Sequence, residues 1–255
     1  MNYKEIESII AGKDKIFISS HMNPDGDSLG SASAMYHYLK KLGKDCRIIN
    51  HSPTPEIYNF LNTDNIFYEL DGDNAGFIKN ADLGIILDIG DFYRLGDIAY
   101  LVEDNNIETL SIDHHPQSDN DLFTNTFINL NACSVGEILY SYFCDIDKTL
   151  IDKNIMLGLY VAVLTDTGSF RHSNTTEISH QIAVDAINME LEISTIYQHI
   201  YESSSVSRIK LLGNVIQNLN FDCNGELAWF SLNEDMVKEV NGSNQDFDGF
   251  TDFFR

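Results

Sequence analysis

The sequence predicts an α/β fold in which a mainly parallel β-sheet is flanked by helices. Apolar runs typical of buried strands alternate with helical patterns through the first two-thirds of the chain, as in sheets whose parallel strands are joined by helical crossovers. Carboxylates and histidines follow three of these runs directly, at the sheet edge where such folds collect their functional groups. The 255 residues are 43% hydrophobic, which suffices for one sizeable core.

The strands and helices of this sheet are predicted in alternation. The strands are 15–20, 45–50, 83–88, 109–113 and a further one near 126–130. The helices around them are 3–10, 28–42, 98–103 and 135–144. Ser28 is interpreted as the N-cap of the second helix, and Gly43 as its end.

The rest of the chain is predicted to be largely helical. A buried helix at 154–164 is followed by helices at 178–189, 193–201 and 206–219, and then by a strand at 227–232. We therefore expect a catalytic domain over 1–190 and a helical connector over 191–220. Residues 221–255 are too few for an independent domain and are predicted to begin an incomplete second α/β domain.

The composition excludes several classes of protein. A formal net charge of −23 argues against a surface for long nucleic acid, because such surfaces neutralise phosphates with Lys and Arg. No leader pattern opens the chain, and the longest apolar stretch, 155–164, is shorter than the roughly 20 residues that cross a bilayer. The cysteines are scattered, without a Cys-x-x-Cys pair. We expect a cytoplasmic protein with no membrane partner, acting on short anionic molecules.

A histidine and two aspartates follow the first strand in one short loop. Pro24 and Gly26 supply bends that let His21, Asp25 and Asp27 converge on one point. This spacing suits metal ligation. The alternative interpretation is that these aspartates cap turns and helices, a common use of Asp after a strand.

Three further residues complete the candidate site. Asp88 and His114 lie at the ends of the third and fourth main strands, and Asp166 follows the helix predicted at 154–164. With the first loop they form a set of four carboxylates and two imidazoles, which suits Mn²⁺ or a similar divalent ion. Crowded carboxylates would repel one another without cations, so capping alone does not explain their joint occurrence.

Four segments of the chain resemble the four motifs of the DHH phosphoesterase family. They are HMNPDGDSLGS, ILDIGD, IDHHP and TDTGSFR, in that order, and the resemblance covers residues from about 15 to 175. The helical connector and the segment LAWFSL are similar to the continuation in the nanoRNase/pAp-phosphatase branch of this family.

The resemblance implies a role for each residue of the candidate site. His21 and Asp25 would bind one metal ion, Asp27, His114 and Asp166 the other, and Asp88 would bridge the two. His115 would lie beside the reacting phosphate, stabilise its charge or donate a proton, and act in catalysis with Asp88. A water activated by both cations would attack phosphorus in line.

Other residues near these motifs are weaker candidates. Arg171 suits a phosphate oxygen of the substrate, although a surface salt bridge is the alternative. Asp113 and Asp91 are interpreted as supporting or structural residues rather than catalytic ones.

The resemblance implies a hydrolase of 3′-phosphoadenosine 5′-phosphate and of oligoribonucleotides of about two to five nucleotides. An inorganic pyrophosphatase or exopolyphosphatase is an alternative, because a related branch has a similar metal centre. A nucleotide-binding regulator without turnover is a second alternative. The chain departs from its branch after Phe253-Phe254-Arg255, before any Gly-Gly-Gly-His segment. We expect a truncated or natural short form whose exposed apolar end favours a homodimer.

Overall fold

The computed structural model describes residues 3–116, 122–247 and 249–254. The chain divides into two compact units, Met1–Ile196 and Tyr197–Arg255. The predicted division into a catalytic domain, a connector and an incomplete second domain stays a prediction. Of the expected connector, residues 191–196 fall in the first unit and residues 197–220 in the second.

The first unit is built on a parallel sheet of six strands. The strands are β1 (Lys15–Ser19), β2 (Asp45–Asn50), β3 (Phe67–Glu69), β4 (Leu83–Leu87), β5 (Thr109–Asp113) and β6 (Asn125–Ile128). Their order is β3-β2-β1-β4-β5-β6, and each neighbouring pair is parallel. The predicted fold class is confirmed.

Helices connect these strands and continue beyond them. They are α1 (Tyr3–Ala11), α2 (Gly26–Lys41), α3 (Gly72–Lys79), α4 (Asp97–Asn105), α5 (Val135–Asp147), α6 (Lys153–Asp166), α7 (Glu177–Asn188) and α8 (Ile193–Tyr197). Among the residues described, no helix is both long and apolar enough to span a bilayer.

Apolar side chains cover both faces of the sheet. Phe17, Ile49 and Ile86 pack with residues of α3 and α4 on one face. Because side chains alternate along a strand, Ile16 and Ile18 lie on the opposite face, where they are fully buried. Helix α2 packs on β1 and β2, and α5 packs on β5.

Helices α2, α5 and α6 approach one another closely through small residues. A Cβ atom on Gly158 of α6 would clash with the carbonyl oxygen of Gly30 in α2. Gly136 at the start of α5 lies equally close to Ala162 of α6. This contact brings the start of α2 beside the end of α6, where Asp27 and Asp166 lie.

The second unit contains α9 (Val206–Gln217), β7 (Asn220–Asp222), β8 (Leu227–Trp229) and α10 (Glu234–Glu239). Strands β7 and β8 form an antiparallel pair. Leu211, Val215 and Phe250 form the buried part of a small apolar cluster.

Several sequence-based predictions of local structure are wrong. Asp25, not Ser28, is the N-cap of α2, and Ser28 completes a reciprocal capping box with it. The strand predicted at 227–232 ends at Trp229. The helix predicted at 193–201 ends at Tyr197 and continues as a π-helical turn over Gln198–Glu202.

Candidate metal centre

The site lies beyond the carboxyl ends of three central strands. Strands β1, β4 and β5 are neighbours, and the strand order reverses between β1 and β4. In open α/β sheets this reversal opens a crevice at the carboxyl ends of the strands. The side chains predicted to bind metal converge in this crevice.

One group of potential ligands consists of His21, Asp25 and Asp88. The Nε2 atom of His21 lies 3.6 Å from Asp25 Oδ2 and 3.6 Å from Asp88 Oδ2. Asp25 also caps α2, because its Oδ1 accepts a hydrogen bond from the Ser28 backbone N–H. Capping and metal ligation are therefore compatible, since the two functions use different oxygens of one carboxylate.

A second group consists of Asp27, His114 and Asp166. The Nε2 atom of His114 lies 3.7 Å from Asp27 Oδ2 and 3.7 Å from Asp166 Oδ2. These separations leave room for a cation among the three side chains, because bonds from such ligands to divalent transition metals are about 2.0–2.2 Å long.

Asp88 belongs to the first group and also faces the second. Its Oδ2 faces His21, while its Oδ1 lies 3.7 Å from Nε2 of His114. The side chain is only 3% exposed, and its backbone has a φ of 59°, which is uncommon for a residue other than glycine. The carboxylate is thus held where it could bridge two cations.

Both candidate histidine ligands are oriented by backbone carbonyl groups. Nδ1 of His21 lies 2.8 Å from the oxygen of Met22, and Nδ1 of His114 lies 3.3 Å from that of Ala132. Donation from Nδ1 leaves the Nε2 lone pair free to bind metal.

Two buried polar atoms of the site would suit a bound cation. Nε2 of His114 and Oδ1 of Asp88 are buried and have no hydrogen-bond partner within the described part of the chain. Buried polar atoms normally have partners. The aspartates and histidines could therefore hold a divalent metal ion.

The carboxylates influence one another's protonation. Burial raises the pKa of Asp27 well above its ordinary value, and the neighbouring Asp88 and Asp166 carboxylates raise it further. Burial is also the main cause that raises the pKa of Asp166 to about 6. Burial opposes ionisation of Asp88 too, but contacts with His115 and His21 hold its pKa below the ordinary value. The metal-free site thus retains protons that a cation would displace.

The pKa values of two histidines are raised by these carboxylates. Burial opposes charge on His21, yet its contacts with Asp25 and Asp88 raise its pKa to about 10. Hydrogen bonding to Asp113, followed by contact with Asp88, raises the pKa of His115 to about 10.

The first turn of α5 supports Asp27. Backbone N–H groups of Val135 and Gly136 donate to its two carboxylate oxygens at 2.7 and 3.1 Å, and the Ser31 hydroxyl donates at 3.0 Å. The positive end of the α5 dipole favours the ionised carboxylate. Ser31 was not among the residues predicted for the site, although its position four residues after Asp27 on a helix could have indicated the contact.

His115 lies at the rim, with its side chain 50% exposed. Its Nδ1 is 3.0 Å from Asp113 Oδ1 and 3.4 Å from Asp88 Oδ1. Asp113 Oδ1 also accepts the backbone N–H groups of His114 and His115. The fully buried Asp113 therefore orients the whole His114–His115 turn.

The remaining candidates lie around this centre. Arg171 is exposed, and its Nε donates to the oxygen of Gly168 at 2.8 Å. Asp91 caps the short 3₁₀ helix Phe92–Leu95 by accepting the Tyr93 N–H.

The Asn174 side chain links the end of α6 to the loop before α5 by hydrogen bonds. Its side-chain nitrogen donates to the backbone oxygens of Asp166 and Cys133, each at 3.1 Å. The sequence alone placed Asn174 near the motif that contains Asp166 but indicated no partner for it.

Residues 15–188 match the DHH family, N-terminal domain. The chain is 26% identical over 242 residues to the bifunctional oligoribonuclease and PAP phosphatase NrnA of Bacillus subtilis, covering 92% of this chain and 72% of that protein. It is 24% identical over 249 residues to the protein of the same name from Thermus thermophilus, covering 98% and 71%. A crystal structure of an exopolyphosphatase-related protein from Bacteroides fragilis has the same fold, with a TM-score of 0.88, 23% identity and coverage of 99% and 75%.

Proposed function

The chain belongs to the DHH family, and on that premise we propose that it is a metal-dependent phosphoesterase acting on small nucleotides. The substrates we propose are 3′-phosphoadenosine 5′-phosphate and oligoribonucleotides of about two to five nucleotides. The relatives that carry these activities in their names match the chain over most of its length.

The observation that carries this proposal is that Asp88, a member of the first three-residue group, also faces His114 of the second. Each group offers one imidazole together with carboxylates, a donor set that suits Mn²⁺ and similar ions. We propose two bound divalent cations, most simply Mn²⁺. His21 and Asp25 would hold one, Asp27, His114 and Asp166 the other, and Asp88 both.

Bound divalent ions would lower the pKa of a water molecule and neutralise charge on the phosphoryl oxygens. The protein's own groups orient and protonate the substrate. The hydrogen bond to Asp113 and the contact with Asp88 raise the pKa of His115 to about 10, which favours the protonated ring. With Nδ1 bonded to Asp113, its Nε2 proton would pass to the leaving ester oxygen.

Arg171 is proposed as a substrate contact at the edge of the site. Its Nε bond to Gly168 fixes the inner part of the guanidinium, while the exposed terminal nitrogens suit two oxygens of a phosphate. We also propose a cytoplasmic location, which the free thiols of all four cysteines support, and a homodimer as the assembled form.

The test is the release of phosphate and mononucleotides by the purified chain. Its substrates are 3′-phosphoadenosine 5′-phosphate, a diribonucleotide and inorganic pyrophosphate, each with added Mn²⁺ and with EDTA. We expect Mn²⁺-dependent turnover of both nucleotides. Preference for pyrophosphate would contradict the proposed substrate class, and nucleotide binding without hydrolysis would contradict the proposed activity.

A further inference from the structure

A short polar loop at the carboxyl end of β2, beginning with the last residue of the strand, lies beside the loop that carries His21, Asp25 and Asp27 (the metal-binding loop) and contributes none of the candidate ligands. The loop consists of Asn50, His51 and Ser52. Strands β1 and β2 are paired, with Ile18 opposite Ile48, so the loop lies one strand spacing, about 4.8 Å, from the segment that carries His21.

Asn50 uses its acceptor to hold the metal-binding loop. Its Oδ1 accepts the backbone N–H of Ser20 at 3.2 Å and the Ser20 hydroxyl at 3.3 Å. These bonds fix the orientation of the carboxamide. Its Nδ2 is buried and has no hydrogen-bond partner in the ranges that the structure describes. An orphaned donor of this kind indicates a bound water or ligand nearby.

His51 uses its acceptor in the same way. Its Nδ1 accepts the backbone N–H of Asp97 at 3.2 Å, so the proton of the neutral ring is on Nε2. The ring packs against Gly96, where an added Cβ atom would lie within 2.9 Å of Cγ, Nδ1 and Cδ2. Nε2 is not among these three nearest ring atoms, and the side chain is 31% exposed.

Ser52 completes the pattern. Its hydroxyl oxygen accepts the backbone N–H of Asn23 at 3.1 Å, and Asn23 lies between the candidate ligands His21 and Asp25. The hydroxyl proton is left for another partner. In all three side chains the acceptor is used within the protein, and a donor remains.

We propose that Asn50, His51 and Ser52 form a binding site for a second phosphate group, the one that is not cleaved when a nucleotide binds at the metal centre. This inference rests on the proposed function and specifies how a bisphosphorylated nucleotide is held. His51 and Ser52 donate to the phosphate oxygens, and Asn50 anchors the loop beneath them.

Chemistry and topology both support a phosphate at this place. The oxygens of an ionised phosphate act as hydrogen-bond acceptors. Side chains whose donors have no partner within the protein therefore complement them. In doubly wound sheets the end of the second strand faces the nucleotide bound at the switch point. The carboxylate of Asp97 lies 3.8 Å from Nδ1 of His51, on the side of the ring opposite the donor.

The experiment removes the hydrogen-bond donor and the hydrogen-bond acceptor of the His51 ring in separate variants. His51→Asn keeps an acceptor at the position of Nδ1 and removes the distal donor, whereas His51→Gln keeps a donor near the position of Nε2 and removes the proximal acceptor. The readout is the ratio of kcat/KM for 3′-phosphoadenosine 5′-phosphate to that for adenosine 3′-phosphate, which lacks the second phosphate. His37→Asn on α2 is the matched control.

We expect His51→Asn to lower this ratio about tenfold, as for loss of one hydrogen bond to a charged group. His51→Gln should retain the ratio at a lower melting temperature, and His37→Asn should leave the ratio unchanged. The opposite pattern, with His51→Asn like the wild type, would overturn the inference and assign His51 a structural role only.

The two nucleotides can also be compared by binding alone, without turnover. Dissociation constants for the two nucleotides can be measured by calorimetry in the presence of Ca²⁺. In His51→Asn, the preference for 3′-phosphoadenosine 5′-phosphate over adenosine 3′-phosphate should fall by about the same tenfold factor. If the chain binds both nucleotides but hydrolyses neither, the proposed activity fails while the inference is still tested. Equal dissociation constants for the two nucleotides in the wild type would overturn the inference itself.

Discussion

At the residue scale, the candidate site separates residues that would hold metal from residues that would move a proton. Three of the candidate ligand side chains, Asp27, Asp88 and His114, are only 2–10% exposed, whereas that of His115 is 50% exposed. A buried imidazole with an orphaned Nε2 suits a cation, and an exposed imidazole paired with a buried aspartate suits proton transfer.

The first prediction concerns His115. His115→Ala should retain metal binding, because Asp88 and His114 stay in place, but should lower kcat about 10²–10⁴-fold, the range for loss of an acid or base group. Metal content by mass spectrometry and steady-state kinetics measure the two effects. His114→Ala is the matched control and should lose metal. Metal loss in His115→Ala would show that the roles of the two histidines are reversed.

The second prediction concerns pH. A divalent ion needs the unprotonated Nε2 of His21, yet the carboxylates raise the pKa of this residue to about 10 in the metal-free protein. Binding must therefore release a proton throughout the range from pH 6 to 9, and the affinity should rise with pH by up to about tenfold per unit. Calorimetry in buffers of different ionisation enthalpy measures the released protons. An affinity independent of pH would contradict this prediction.

Which residues converge in the crevice could be predicted from the sequence, because carboxylates and histidines directly follow strands whose ends must meet. The hydrogen bonds that hold these residues and their neighbours in place could not be predicted from the sequence. Asp25 both caps α2 and faces His21, and no pattern in the chain distinguishes the two uses. The donors left on His51 and Ser52 depend on backbone N–H groups from loops distant in sequence.

At the scale of elements, the arrangement of α2, α5 and α6 sets the geometry of one ligand group. Asp27 lies in the first turn of α2 and Asp166 at the end of α6, while the first turn of α5 binds the Asp27 carboxylate. The contact between Gly30 and Gly158 lets the two ligand-bearing helices approach.

The third prediction tests this contact. Gly158→Ala places a methyl group against the backbone of α2, so it should destabilise the protein by about 1–3 kcal/mol and weaken metal binding by separating Asp27 from Asp166. Thermal unfolding and a Mn²⁺ titration measure the two effects. Gly213→Ala in α9 is the control, because its methyl group would meet no atom within 4 Å. Unchanged metal affinity in Gly158→Ala would contradict this account.

Long or strongly apolar elements could be predicted, and short ones could not. Strand β3 has only three residues and an exposed or half-buried pattern, so no apolar period marks it. Helix α3 contains Gly72 and Gly76, which lower helix propensity. Its burial of Phe77 and Ile78 against the sheet provides the stability that its local sequence does not.

At the scale of the whole molecule, the chain is acidic and the proposed substrate is anionic. The formal net charge is −23, so long-range electrostatics oppose the approach of a nucleotide. Two divalent cations would cancel the formal charge of the four ligand carboxylates and supply positive charge where phosphate binds. Metal binding is therefore the step on which the proposed activity depends.

The most direct test of this claim is a Mn²⁺ titration followed by electron paramagnetic resonance, with Asp88→Ala beside the wild type. We predict two ions per chain and a spin-coupled spectrum, because one carboxylate lies between both ligand groups. Asp88→Ala should lose the coupling and the hydrolytic activity. Uncoupled ions in the wild type, or a coupled pair that survives in Asp88→Ala, would contradict the shared two-metal centre.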